Sequence, residues 1–370
     1  MQKSNQISIW RLLTKTIILF LLFNLLFVSI SSLPYGKISL YNFIFKGRER
    51  LPFGENYRKS YNLTINNLDA MVNSHLISEA GNQKDHFNIV IIGDSSVWGF
   101  LHTPDNTISS MIEKKINYTC GLKDINIFNL GYPSLSILKD IFIIEKILEY
   151  DPDLIIWFVT LESFPKKLQT ETPLVQNNPR EINRLNENYT FDLPELDYEF
   201  LDYTLIGQRR NLADIIRLQV LGFLWTATGI DQEYPEQYNP AQRDFEEDET
   251  YKDFEKNKIE VNDLSIDLLI KTIKKNDHID FIVINEPILI SEGVNSHIRY
   301  NYYYPRWAYD QYRNILKDEM SQSGIKYYDL WDIVPENEFT NSAIHLTNTG
   351  QNILAGYMNG VIKKYCQSQE

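Results

Sequence analysis

Cysteine is almost absent from this chain, and so is any concentrated block of positive charge. Its 370 residues hold two cysteines, Cys120 and Cys366. That number excludes a framework of several disulfides, and neither cysteine has the Cys/His spacing of a zinc site. The formal charge is −13, with no Lys/Arg run interleaved with aromatics. This balance opposes binding to nucleic acid or to anionic lipid headgroups. No Gly-rich phosphate loop is present, which ranks a nucleotide-binding flavodoxin-like module last. Neither a cofactor nor a metal is implied. Long apolar runs are scarce as well. The one that stands out, residues 16–31, is uncharged but short for a full span.

Lys3, Arg11 and Lys15 precede that run. Residues 1–34 therefore read either as an uncleaved membrane anchor or as a signal peptide cut near Ser29-Ile30-Ser31. The leading charges favour a single-pass anchor with the body outside the cytoplasm. Lys37, Lys46, Arg48 and Arg50 after the run weaken that orientation. Residues 35–85 are polar and weakly patterned, and read as a lead-in or stalk. Residues 86–370 read as one domain.

Within that domain apolar runs alternate with helical periodicity. Strands are expected at 87–92, 125–130, 154–159, 281–284 and 325–328. Helices are expected at 108–116, 137–148, 264–273, 308–320 and 352–364. The pattern breaks over about 165–260, which contains an acidic stretch at 244–255. It also holds one apolar helical candidate, 212–225, interrupted by Asp214, Arg217 and Gln219 and so read as a packed helix. The expected class is α/β: a three-layer α/β/α sandwich, its five-stranded parallel sheet carrying a long insertion after strand 3.

Catalytic groups in such sheets collect beyond the carboxyl ends of the strands. Four segments end there with polar or glycine residues: Gly93-Asp94-Ser95, Asn129-Leu130-Gly131, Thr160-Leu161-Glu162 and Asn285-Glu286. His345 precedes the last helix and can converge on the same edge. A serine at a tight turn with a distant histidine is the layout of an acyl-transfer nucleophile and its base. The Ser95 and Gly131 N–H groups are the candidate oxyanion donors.

Gly93-Asp94-Ser95 with Gly99, Asn129-Leu130-Gly131, and His345-Leu346-Thr347 with Gly350 together resemble the blocks of the SGNH (GDSL-type) hydrolases. The resemblance covers roughly 86–163 and 279–365. It implies Ser95 as nucleophile, His345 as base and Gly131 as an oxyanion donor. Two positions depart from the pattern. Glu162 stands where the family has an oxyanion-donating asparagine, and a carboxylate cannot donate there. Glu162 must be protonated, turned away or otherwise employed. Ser342, beside Asn341, stands where the family's acid lies three residues before the histidine. Ser342, Asn341 or a backbone carbonyl can still fix the imidazole tautomer, and Glu162 or Glu286 can supply the missing charge. Asp94 can simply cap the next helix.

The leading expectation is thus a serine ester hydrolase acting on an acyl ester, O-acetyl carbohydrate among the candidates, outside the cytoplasm. An O-acyltransferase of envelope polysaccharide and a catalytically silent binding domain are the alternatives. The aromatic run 299–307 reads as packing of the insertion onto the core, or as a sugar-stacking surface.

Overall fold

Strands form where β-branched and aromatic residues run on, because such runs bury both faces of a pleated ladder. In the computed structural model five of them make one sheet. They are β1 His86–Ile92, β2 Asp124–Asn129, β3 Leu154–Val159, β4 Asp280–Asn285 and β5 Lys326–Asp329. All pair in parallel, in the order β2-β1-β3-β4-β5. The structure describes residues 8–30, 68–73, 75–80, 85–176, 178–194, 200–209, 212–213, 216, 219–221, 223–224 and 237–369.

The described helices are α1 Ile9–Ile30, α2 Leu68–Asn73, α3 Ile77–Ala80, α4 Ser95–Trp98, α5 Ile108–Glu113, α6 Ile137–Ile147, α7 Pro173–Gln176, α8 Pro179–Tyr189, α9 Ile266–Lys275, α10 Arg306–Ser323 and α11 Asn348–Gln367. The period-two alternation of strand side chains divides the core between two layers. Val90, Ile92, Ile155, Trp157 and Val283 join the cluster that holds α6, α9 and α10. Ile89, Ile91, Ile156, Phe158 and Ile284 join α5 and α11 on the other face. Each such side chain, fully buried, contributes about 1.5–3 kcal/mol. The class is α/β, with the insertion between β3 and β4.

Two expectations need correction. The lead-in does not extend to residue 85: Leu68, Met71, Val72 and Ile77 are buried in the first cluster, so the domain already includes α2 and α3. The rest of that stretch, 35–67, lies outside the described residues. The insertion packs onto the core: Leu174, Val175, Ile182, Leu185 and Tyr189 from α7 and α8 enter the same cluster. The candidate helix 212–225 is not packed along its length: Ile216, Val220 and Leu224 are 63%, 59% and 58% exposed. The structure also joins the two cysteines. Cys120 and Cys366 form one disulfide, joining the segment before β2 to the end of α11 across a sequence separation of 246.

The acidic stretch 244–255 is solvated only in part. Phe245 and Tyr251 are buried, and the Asp248 and Thr250 carbonyls accept from Arg299. The aromatic run packs as expected, with Tyr300 and Tyr304 buried and Trp307 donating to the Glu249 carbonyl. α1 is, among the described residues, the one helix long and apolar enough to cross a membrane.

The strand order places β1 between β2 and β3, with successive crossovers leaving in opposite directions. Such a switch point opens a crevice at the carboxyl edge of the sheet. The turn after β1 lies at that point.

Candidate active site

The nucleophile turn is held by close backbone packing. A Cβ on Gly93 would lie 2.6 Å from Val97 Cγ2 and 3.0 Å from Phe158 Cβ. Asp94 then caps α4, its Oδ1 accepting from Ser96 N at 2.7 Å. Gly99 ends the helix at φ 94°, and the Ser95 carbonyl accepts from both Gly99 and Phe100. Ser95 therefore opens a one-turn helix, where its N–H has no intrahelical partner.

His345 reaches this turn from across the sheet. Ser95 Oγ and His345 Nε2 are 2.8 Å apart, although 250 residues separate them. The other ring nitrogen, Nδ1, faces Asn341 Oδ1 at 3.3 Å. With Oδ1 as acceptor, Nδ1 carries the proton and Nε2 is free to accept from Ser95. The Phe100 ring lies against the imidazole, 4.8 Å between centroids. Burial pushes the His345 pKa down to about 4; the Asp94 charge opposes this and His102 adds to it. The imidazole is accordingly neutral at ordinary pH, the form a general base needs.

Of the possible tautomer-fixing groups, Asn341 makes the contact. Ser342 is buried and its Oγ accepts from Ile344 N instead. Glu162 is turned away, in an ion pair with Lys252 and accepting from Tyr251 OH at 3.3 Å. Glu286 is buried and accepts from Ser96 Oγ at 2.5 Å, so it too is no partner of His345. Burial first, and the Asp94 charge second, push the Glu286 carboxyl well above the usual carboxylate range. Both causes favour the protonated form.

The Gly131 N–H, the expected oxyanion donor, donates to Asn129 Oδ1 at 2.9 Å. Its lack of a side chain serves a different end, because a Cβ there would lie 2.3 Å from Trp98 N. Gly131 lets the β2 loop press against α4.

Three residues were missed. Lys139 is fully buried; its Nζ donates to the Gly93 and Tyr132 carbonyls and pairs with Asp140 at 2.5 Å. Asp140 also accepts from Trp157 Nε1 at 2.9 Å, and burial raises its pKa. A charged pair between Leu138 and Ile141 on an otherwise apolar helix face was the available signal. Ser134, in the loop after β2, has φ 145° and a buried Oγ without a partner. No residue type marks such a conformation in advance. His102 is buried beside the site; its Nδ1 pairs with Asn348 Oδ1 at 2.9 Å.

No family model and no curated protein matches the chain. Solved structures similar to it include a carbohydrate acetylesterase family member from Sinorhizobium meliloti, 11% identical, TM-score 0.35, covering 76% of this chain and 99% of that one. Another is a putative arylesterase from Agrobacterium tumefaciens str. C58, 7% identical, TM-score 0.36, covering 75% and 98%. A third is a G-D-S-L family lipolytic protein from Veillonella parvula DSM 2008, 13% identical, TM-score 0.34, covering 75% and 98%. At these identities and scores, the chemistry is carried by the geometry around Ser95 and not by the likeness.

Proposed function

We propose that this chain is a serine ester hydrolase of the SGNH/GDSL type, anchored in a membrane by α1 and acting outside the cytoplasm. The observation that carries the proposal is the 2.8 Å contact between Ser95 Oγ and a neutral His345 Nε2. Ser95 Oγ attacks the acyl carbonyl as its proton passes to Nε2. The carbonyl π electrons move onto oxygen, and the Ser95 N–H steadies that oxyanion. Collapse expels the alkoxide, which takes the proton back from His345. Water, activated by the same imidazole, then releases the acid.

The substrate class favoured is an O-acetylated carbohydrate. Tyr302 is part-exposed against Tyr303, with 4.2 Å between ring centroids, and Tyr303 lies within electrostatic reach of Asp94 and Glu162. This pair supports the sugar-stacking reading of the aromatic run. The Cys120–Cys366 disulfide favours an oxidising compartment. Transfer to a sugar hydroxyl instead of water needs no change in these residues.

A silent binding domain is the second reading, favoured by the neutral amide at His345 where a carboxylate would support the imidazolium. Hydrolysis of p-nitrophenyl acetate decides between them. Turnover by the wild type that Ser95→Ala abolishes supports the enzyme. A folded wild type with no turnover and no acyl-enzyme supports the silent domain.

A further inference from the structure

Among the described residues, the insertion and the anchor helix meet at a polar contact. Asn24 of α1 is 6% exposed; its Nδ2 donates to the Phe20 carbonyl and its Oδ1 accepts from Ile206 N at 3.3 Å. An asparagine within an apolar span needs such partners, since hydrocarbon offers none. The apolar stretch of α1 ends at Val28. Asn24 lies four residues inside that end, a depth of about 6 Å at the helical rise. Ile206 is therefore drawn to the level of the boundary between headgroups and acyl chains.

Around this contact the insertion exposes apolar side chains on a scale unlike the rest of the domain. Phe200, Leu201 and Ile206 are 57%, 60% and 45% exposed. Ala213, Ile216, Val220 and Leu224 follow as exposed helical positions, and their spacing of three or four residues lines them along one face. The local charge also differs from the chain's −13: residues 200–224 carry Arg209, Arg210 and Arg217 against Asp202 and Asp214. A part-apolar, weakly basic helix rich in Leu and Ile suits the interface of a bilayer, buried about 5–10 Å deep.

We propose that the exposed apolar side chains Phe200, Leu201, Ile206, Ile216, Val220 and Leu224 form a second membrane-contacting surface, which lies in the lipid interface beside α1 and seats the domain on the bilayer. The occupant of the exposed stripe is the acyl boundary of the leaflet from which α1 emerges. The proposal rests on α1 as the membrane anchor, and the test separates the two.

The full chain is reconstituted in vesicles of phosphatidylcholine and phosphatidylglycerol, with single NBD-labelled cysteines. Ile216→Cys and Val220→Cys report the stripe, Leu19→Cys the anchor, and Val294→Cys an exposed site far along the chain. Doxyl-labelled lipid is expected to quench the stripe positions several-fold more than Val294→Cys, and aqueous iodide to quench them less. Iodide quenching of the stripe at the Val294→Cys level overturns the proposal. Protection from both quenchers also overturns it, by showing that protein, such as a second copy, covers the stripe. Quenching by lipid at Leu19→Cys alone leaves the anchor standing and removes the second element. Absence of lipid quenching at Leu19→Cys removes the anchor.

Discussion

The two halves of the proposed active site are built to different standards. Ser95 stands on a scaffold that is buried and over-determined: two glycines packed to contact, a capping carboxylate, and Lys139 clamped between the Gly93 carbonyl and Asp140. His345 hangs on a loop whose one polar contact to Nδ1 is the exposed amide of Asn341, at 3.3 Å. The nucleophile's position is thus a property of the core. The base's strength is a property of a surface loop, tuned by an uncharged partner and by burial. The comparison teaches that position and proton affinity are separable in this fold: the first is fixed by packing under the sheet edge, the second is open to a single substitution.

The largest way to break the comparison is to remove the nucleophile. Ser95→Ala should lower esterase turnover by roughly 10⁴-fold or more, read as kcat on an aryl ester, with unfolding unchanged. Lys139→Ala should come next and should act on both stability and activity. Removing one partner of a buried pair costs about 3–5 kcal/mol, measurable as a lowered denaturant midpoint. The freed Gly93 carbonyl should also let the turn move and reduce kcat.

Asn341→Asp sharpens the contrast from the other side. A carboxylate beside Nδ1 favours the imidazolium and should raise the His345 pKa by about 1–3 units. In the wild type the acid limb of kcat/KM should lie near pH 4, because the neutral base persists down to its lowered pKa of about 4. In Asn341→Asp that limb should move up, and the plateau rate should increase. Stability follows the same sign. The unfolded histidine binds its proton near pH 6.5, above the folded value, so wild-type stability declines as pH falls from about 6.5 towards 4. The variant should lose less over that window.

Glu286→Gln should be mild. A carboxyl that keeps its proton is replaced by a neutral isostere, so activity should stay within a few-fold while Glu286→Ala falls further, both read by kcat. Smallest of all should be Glu162→Gln, since its carboxylate pairs with Lys252 and not with His345. Partly exposed pairs contribute about 0–1 kcal/mol, and kcat should change less than about threefold.

The five strands and the meeting of Ser95 with His345 were legible because both follow from local patterns: unbroken apolar runs, a Gly-Asp-Ser stop, and a histidine before the last helix. What escaped was set by contacts between distant segments. α8 hid its core face because Ile182, Leu185 and Tyr189 sit among polar neighbours. The pairing of Cys120 with Cys366 depends on where α11 lands. Gly131 was read as an oxyanion donor, but what it meets in the fold is Asn129 Oδ1 at its N–H and the α4 backbone at its Cα. The choice of Asn341 over Ser342 turned on which side chain faces Nδ1, and that is decided by the loop's path.

The most direct measurement is site mapping of a fluorophosphonate adduct by peptide mass spectrometry on the full-length folded protein. A single adduct on Ser95, lost in both Ser95→Ala and His345→Ala and forming more slowly below about pH 4, is the predicted result. An adduct on another residue, or none on a folded sample, would contradict the pairing of Ser95 and His345 as nucleophile and base.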